Sequence, residues 1–119
     1  MHKIIFYHDK NGYKPVVAYL EELSGRKDKD SRIKYNKIMD YIDILSEKGT
    51  NAGEPYIKHL DGEIWELRPL RDRVLFAAWI DDKFIILHHF MKKTQKTPQR
   101  EIDKAKRELE DFRRRELKS

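Results

Sequence analysis

Between Lys3 and His8 the chain reads KIIFYH, a β-branched and aromatic run closed by turn-forming residues from Asp9 to Gly12, which predicts a first strand. Pro15 suits the first turn of a helix, and Val16, Leu20 and Leu23 recur at helical spacing up to Gly25. A charged connector, RKDKD, leads into a longer amphipathic segment in which Tyr35, Ile38, Ile42 and Leu45 share one face and Gly49 ends the run. The two segments predict a helical hairpin. After the loop TNAGEPY the period changes from helical to alternating: in IWELR, Ile64, Glu66 and Arg68 face one way, Trp65 and Leu67 the other. Val74 to Ile80 is apolar throughout, as in a central strand covered on both faces, and DDK turns it into FIILHHFMKK. Thr97 can cap and Pro98 can open a last helix whose stripe is Ile102, Ala105, Leu109 and Phe112.

The pattern predicts one α+β domain over residues 1–119, of order β-α-α-β-β-β-α, with a hairpin centred on Asp82. Trp65, Leu67, Val74, Phe76, Ala78, Ile85 and Leu87 are the expected core contributors from the strands. Composition narrows the chemistry. With no cysteine, disulfides, thiolate nucleophiles and cysteine zinc sites are excluded, and the five histidines form no helical pair around a carboxylate base, so no metal or cofactor is expected. No apolar run is long enough to span a bilayer and the N-terminal stretch lacks a cleavage site of small residues, which points to a cytoplasmic protein without membrane contact.

The net charge is +5, and its distribution says more than its sign. Residues 1–90 hold 15 Lys+Arg against 15 Asp+Glu, whereas residues 91–119 hold 11 against 6, so the whole excess lies in the last quarter. Such asymmetry suits a polyanion or an acidic protein as partner.

Strand pairing gathers part of that charge. A hairpin through Asp81, Asp82 and Lys83 sets Arg73 beside Met91 or Lys92, and a loop at PLRD, Pro69 to Asp72, sets Arg68 opposite Arg73. Arg68, Arg73, Lys92 and Lys93 then meet at one end of the sheet, with Glu66 two residues inward and His88 and His89 a few residues back. Folding gives little reason to crowd cations, whereas a phosphate does: Arg and Lys together can hold the charge of a pentacoordinate transition state, and Glu66 or a histidine can move a proton. RNA cleavage by its own 2′-hydroxyl needs such a set. Simpler readings stand beside it: a solvated basic edge, a Glu66–Arg68 ion pair, and a histidine doublet with one ring in the core and one outside. On that view the chain is a non-catalytic basic adaptor for nucleic acid or an acidic protein.

The stretches IWELRPLRDRVLFAAW and IILHHFMKKTQKTPQREIDKAKRELEDF resemble the RelE/HigB-like toxins of bacterial type II toxin–antitoxin systems, in particular the phage-related HigB-type branch. The likeness runs from Leu60 to Phe112, and KKTQKTP is its most specific part. It implies a RelE-like microbial ribonuclease fold, a small antiparallel sheet flanked by helices, and a ribosome-dependent mRNA endonuclease that inhibits translation. It implies as partners a helix-turn-helix antitoxin, the ribosome with its mRNA, and operator DNA through the antitoxin. By position, Arg73 matches an arginine that contacts the scissile phosphate, Lys92 and Lys93 match basic residues closing the last strand, and Glu66 and Arg68 fall where relatives place charged residues. The candidate catalytic set is thus Arg73, Lys93, Glu66 and Arg68, with Lys92, Lys96, His88 and His89 as substrate contacts. Arg73 is expected to be an exposed cation, and the second helix, the first strand or the basic tail is expected to meet the antitoxin.

Overall fold

The computed structural model describes residues 1–117; Lys118 and Ser119, the end of the basic tail, lie outside the described residues. The chain runs through β1 (Lys3–Phe6), α1 (Pro15–Gly25), α2 (Lys29–Lys48), a 3-10 turn (Gly49–Ala52), β2 (Ile57–Asp61), β3 (Ile64–Leu67), β4 (Asp72–Trp79), β5 (Lys83–Met91) and α3 (Gln99–Glu116). The apolar spacings explain the helices: Val16, Leu20 and Leu23 of α1, Ile38, Ile42 and Leu45 of α2, and Ile102, Ala105, Leu109 and Phe112 of α3 are all buried. Asp28 starts α2 by accepting a hydrogen bond from the Ser31 N–H at 2.9 Å. Thr97, expected to cap α3, does not: the helix begins after Pro98 with no side-chain cap, and the Thr97 hydroxyl goes elsewhere.

The strands form one sheet of order β1-β5-β4-β3-β2. The α+β class and the predicted order hold, with two additions. β2 is a strand more than the pattern showed, because among its residues only Ile57 is buried and Lys58 and His59 face solvent on an outer strand. The sheet is also mixed, since β1 lies parallel to β5 with Lys3 beside Lys83 and Phe6 beside Ile86.

Helices cover both faces, so the core has two halves. Leu67, Val74, Phe76 and Ile86 pack with α1 and α2, while Ile64, Leu75, Ala77, Ile85 and Leu87 pack with α3. This explains why β4 is apolar almost throughout. Ala78, expected inside, is exposed at the turn end of β4, and Trp65 is only partly buried. Asp81 and Asp82 both adopt positive φ, 59° and 60°, which draws the β4–β5 turn one residue closer to β4 than predicted. A bulge then interrupts the pairing between Leu75 and Phe76, leaving Leu87 as the extra residue of β5, and Arg73 pairs with Phe90 rather than with Met91 or Lys92.

Candidate functional site

The bulge decides where the two histidines point. Leu87 packs on the α3 side, and His88, one residue on, is also directed there; strict alternation resumes with His89, which faces α1. His88 is 1% exposed, with Nε2 3.0 Å from Glu101 Oε1 and Nδ1 2.5 Å from Glu108 Oε1. The ring therefore bridges two carboxylates of α3, one at each nitrogen. His89 stacks on Tyr19 with centroids 3.7 Å apart. Burial, aided by His88, pulls its pKa down to about 4. Both histidines were expected as substrate contacts; in the structure His88 clamps α3 to β5 and His89 packs α1 against the sheet.

The expected convergence of cations at one end of the sheet is present. Arg73 points to the α3 side and is 6% exposed, lying beneath the segment Lys92–Pro98. Its Nη1 donates to the carbonyls of Leu70 (3.0 Å) and Asp72 (2.9 Å), and desolvation lowers its pKa while Glu66 raises it. The exposed cation read from the sequence is therefore a buried one, because the lysine-rich segment folds back over it rather than running out as a rim. Glu66, 2% exposed, accepts the Thr97 hydroxyl at 2.7 Å on one oxygen and faces Arg68 Nε at 3.5 Å with the other. Thr97 thus ties the covering segment to the strand below it. Arg68 also pairs with Glu54 at 3.2 Å, yet its buried Nε has no hydrogen-bond partner, leaving donor capacity inside the site.

Lys92, Lys93 and Lys96 surround the Arg73 side chain from above, and Lys93 and Lys96 are exposed. The carboxylates at this end of the sheet are taken by Arg68 and Lys34. Arg71, not singled out in the sequence, joins the lysines: its Nη2 donates to the Lys92 carbonyl at 3.3 Å, and with Lys92, Lys93, Thr94 and Gln95 it lines an open groove. Its place in RPLRDRV, between two arginines on either side of a tight loop, was the available signal. A further cluster on the opposite face was not legible: the Tyr19 hydroxyl donates to Asp72 at 3.0 Å, and Lys34 lies 3.8 Å from the other oxygen. Burial raises the pKa of both Asp72 and Tyr19. These residues belong to three elements, and only the fold brings them together. Among the described residues, no group of three or more His, Asp or Glu side chains is placed to hold a metal ion, and no helix is long and apolar enough to cross a membrane.

Comparison with known proteins agrees with this architecture. The family described as phage derived protein Gp49-like matches residues 21–110. Among solved structures, the archaeal RelE–RelB complex from Pyrococcus horikoshii OT3 contains a chain of similar fold, with a TM-score of 0.52 and 19% identity over 76% of this chain and 93% of that one. No curated protein matches the sequence.

Proposed function

Because the chain belongs to the Gp49-like family and folds as RelE does, we propose that it is the toxin of a type II toxin–antitoxin pair, an endoribonuclease that cleaves mRNA on the ribosome. The observation that supports this best is the stacking of charge at one end of the sheet: a desolvated arginine, a carboxylate and an arginine with a spare donor, all under a loop with three lysines. A buried cation close to surface cations is a costly arrangement for stability alone, and an approaching phosphate relieves it.

In this reading the phosphate enters when the Lys92–Pro98 segment lifts from Arg73. The 2′-oxygen attacks the adjacent phosphorus, a new P–O bond forms to the 2′-oxygen, and the bond to the 5′-oxygen breaks. Glu66, released from Thr97, takes the 2′ proton; the leaving 5′-oxygen takes one from Lys93 or water. Arg73 and Arg68 hold the equatorial oxygens, with Lys92 and Lys96 along the flanking backbone. Neither His88 nor His89 takes part. The cytoplasm is the place of action, an antitoxin is the regulator, and operator DNA is reached through that antitoxin.

Induced expression tests the reading. Growth arrest, with mRNA cut at defined positions within codons, is expected; a basic adaptor gives neither. Catalytically silent protein that binds RNA without cutting it, on and off the ribosome, would remove the proposed activity.

A further inference from the structure

Beside the phosphate groove lies a second feature with no part in that chemistry. A cleft of about 430 Å³ opens between the α1–α2 junction and the loop before β4, walled by Ile33, Leu70 and Met91. These three apolar side chains are unusually open to solvent, Leu70 at 51% and Met91 at 47%. Leu70 is also held at φ 57°, a left-handed conformation that costs a leucine about 1 kcal/mol. A half-exposed side chain returns little of that strain through packing, and such residues concentrate where a ligand is met.

Charge indicates the occupant. Arg26, Lys34 and Arg71 line the cleft together with Asp28, Asp30 and Asp72, three cations against three carboxylates, so neither a phosphate nor an acidic peptide gains a net attraction there. The groove next door holds Arg71, Lys92 and Lys93 and is positive, and it shares Leu70 and Arg71 with the cleft as a common wall. A flat, uncharged group covalently joined to a phosphate fits both at once. We propose that the cleft seats the nucleobase whose flanking backbone phosphate lies in the positive groove, beside the scissile phosphate at Arg73, and favours a base with an exocyclic amino group. Leu70 and Met91 cover its faces. Asp28, whose Oδ2 is occupied by the Ser31 N–H, and Asp30 accept from its amino edge, as carboxylates do from cytosine. Uracil offers a single N–H between two carbonyls, which the same carboxylates repel.

The proposal rests on the phosphate reading above, and two probes separate them. Isotope-labelled protein is titrated first with inorganic phosphate, then with AMP, CMP, GMP and UMP, following amide shifts. Phosphate is expected to move Arg71 and Lys92 to Gln95 and to leave Ile33 and Met91 in place. AMP, CMP and GMP move Ile33, Leu70 and Met91 as well and bind about fivefold more tightly than UMP, the value of one hydrogen bond. Asp30→Asn and Met91→Ala, both exposed and checked by thermal melting, erase that difference and leave the phosphate shifts in place. Equal binding of UMP, or nucleotide shifts confined to the lysine groove, overturns the base site while sparing the phosphate site. Occupation of the cleft by a short Glu/Leu amphipathic peptide, with nucleotides excluded, overturns it in favour of a protein surface. If phosphate leaves the groove unmoved, both fall.

Discussion

Arg73 shows how a single residue can serve two ends. Its guanidinium holds the Leu70 and Asp72 carbonyls, so it shapes the loop before β4 as well as facing the proposed phosphate. Arg73→Ala is therefore expected to lose about 1–3 kcal/mol of stability from the unpaired carbonyls, in addition to roughly 10²–10³ in cleavage rate. The sequence suggested an exposed cation removable without structural cost; burial reverses that expectation. Lys93→Ala gives the cleaner test, because Lys93 is exposed and its loss should lower mRNA cleavage with an unchanged melting temperature. A Lys93→Ala protein as toxic as the parent would take this lysine out of the site. His89 makes a prediction in pH. Its folded pKa, about 4, lies below the usual 6.5, so between those values the unfolded chain binds more protons than the folded one. Stability should hold above pH 6.5 and fall by up to roughly 3 kcal/mol as the pH drops to 4. His89→Phe keeps a ring on Tyr19 and should flatten that limb in urea titrations at pH 7 and 4.5.

Among the elements, α3 depends on a polar clamp as much as on its apolar stripe. His88→Leu removes the ring that bridges Glu101 and Glu108 and leaves both carboxylates without that partner, at an expected loss of about 1–3 kcal/mol. A double variant, His88→Leu with Glu108→Leu, should recover most of it, and a purely additive double-mutant cycle would refute the clamp. Elements whose apolar period is regular are legible in the sequence itself: the stripes of α1, α2 and α3 fall where the spacing puts them. β2 is not, because a half-solvated outer strand with one buried side chain has no period to detect. The Leu87 bulge is equally invisible, and it is what sends His88 to α3 and sets Arg73 beside Phe90. Residues of the candidate site can thus be proposed from their charge and spacing, while burial and facing cannot: the facing of His88 and His89 depends on one extra residue in β5, and the burial of Arg73 on the loop that folds back over it.

For the molecule as a whole, charge and fold act together. The excess of basic residues begins where β5 ends, and the fold lays that stretch over one end of the sheet instead of leaving it as a tail. RNA affinity should weaken with salt, with a slope of about −0.7 for each single-strand phosphate neutralised. Lys92→Ser, Lys93→Ser and Lys96→Ser together should remove about two units of that slope in binding titrations between low and physiological ionic strength. An unchanged slope would mean that RNA is held elsewhere.

The place of β1 sets an order of events in time. Among the described residues, β1 pairs in the sheet with β5 alone, so its neighbour does not exist until the chain has been synthesised as far as Met91. A ribosome making this protein releases the helical hairpin early, but the sheet remains open and the loop over Arg73 is still missing. Long-range pairing of this kind slows folding. It also places assembly of the phosphate site after nearly all of the described chain has emerged, so a protein proposed to attack messages during translation would be harmless to its own message through most of its synthesis.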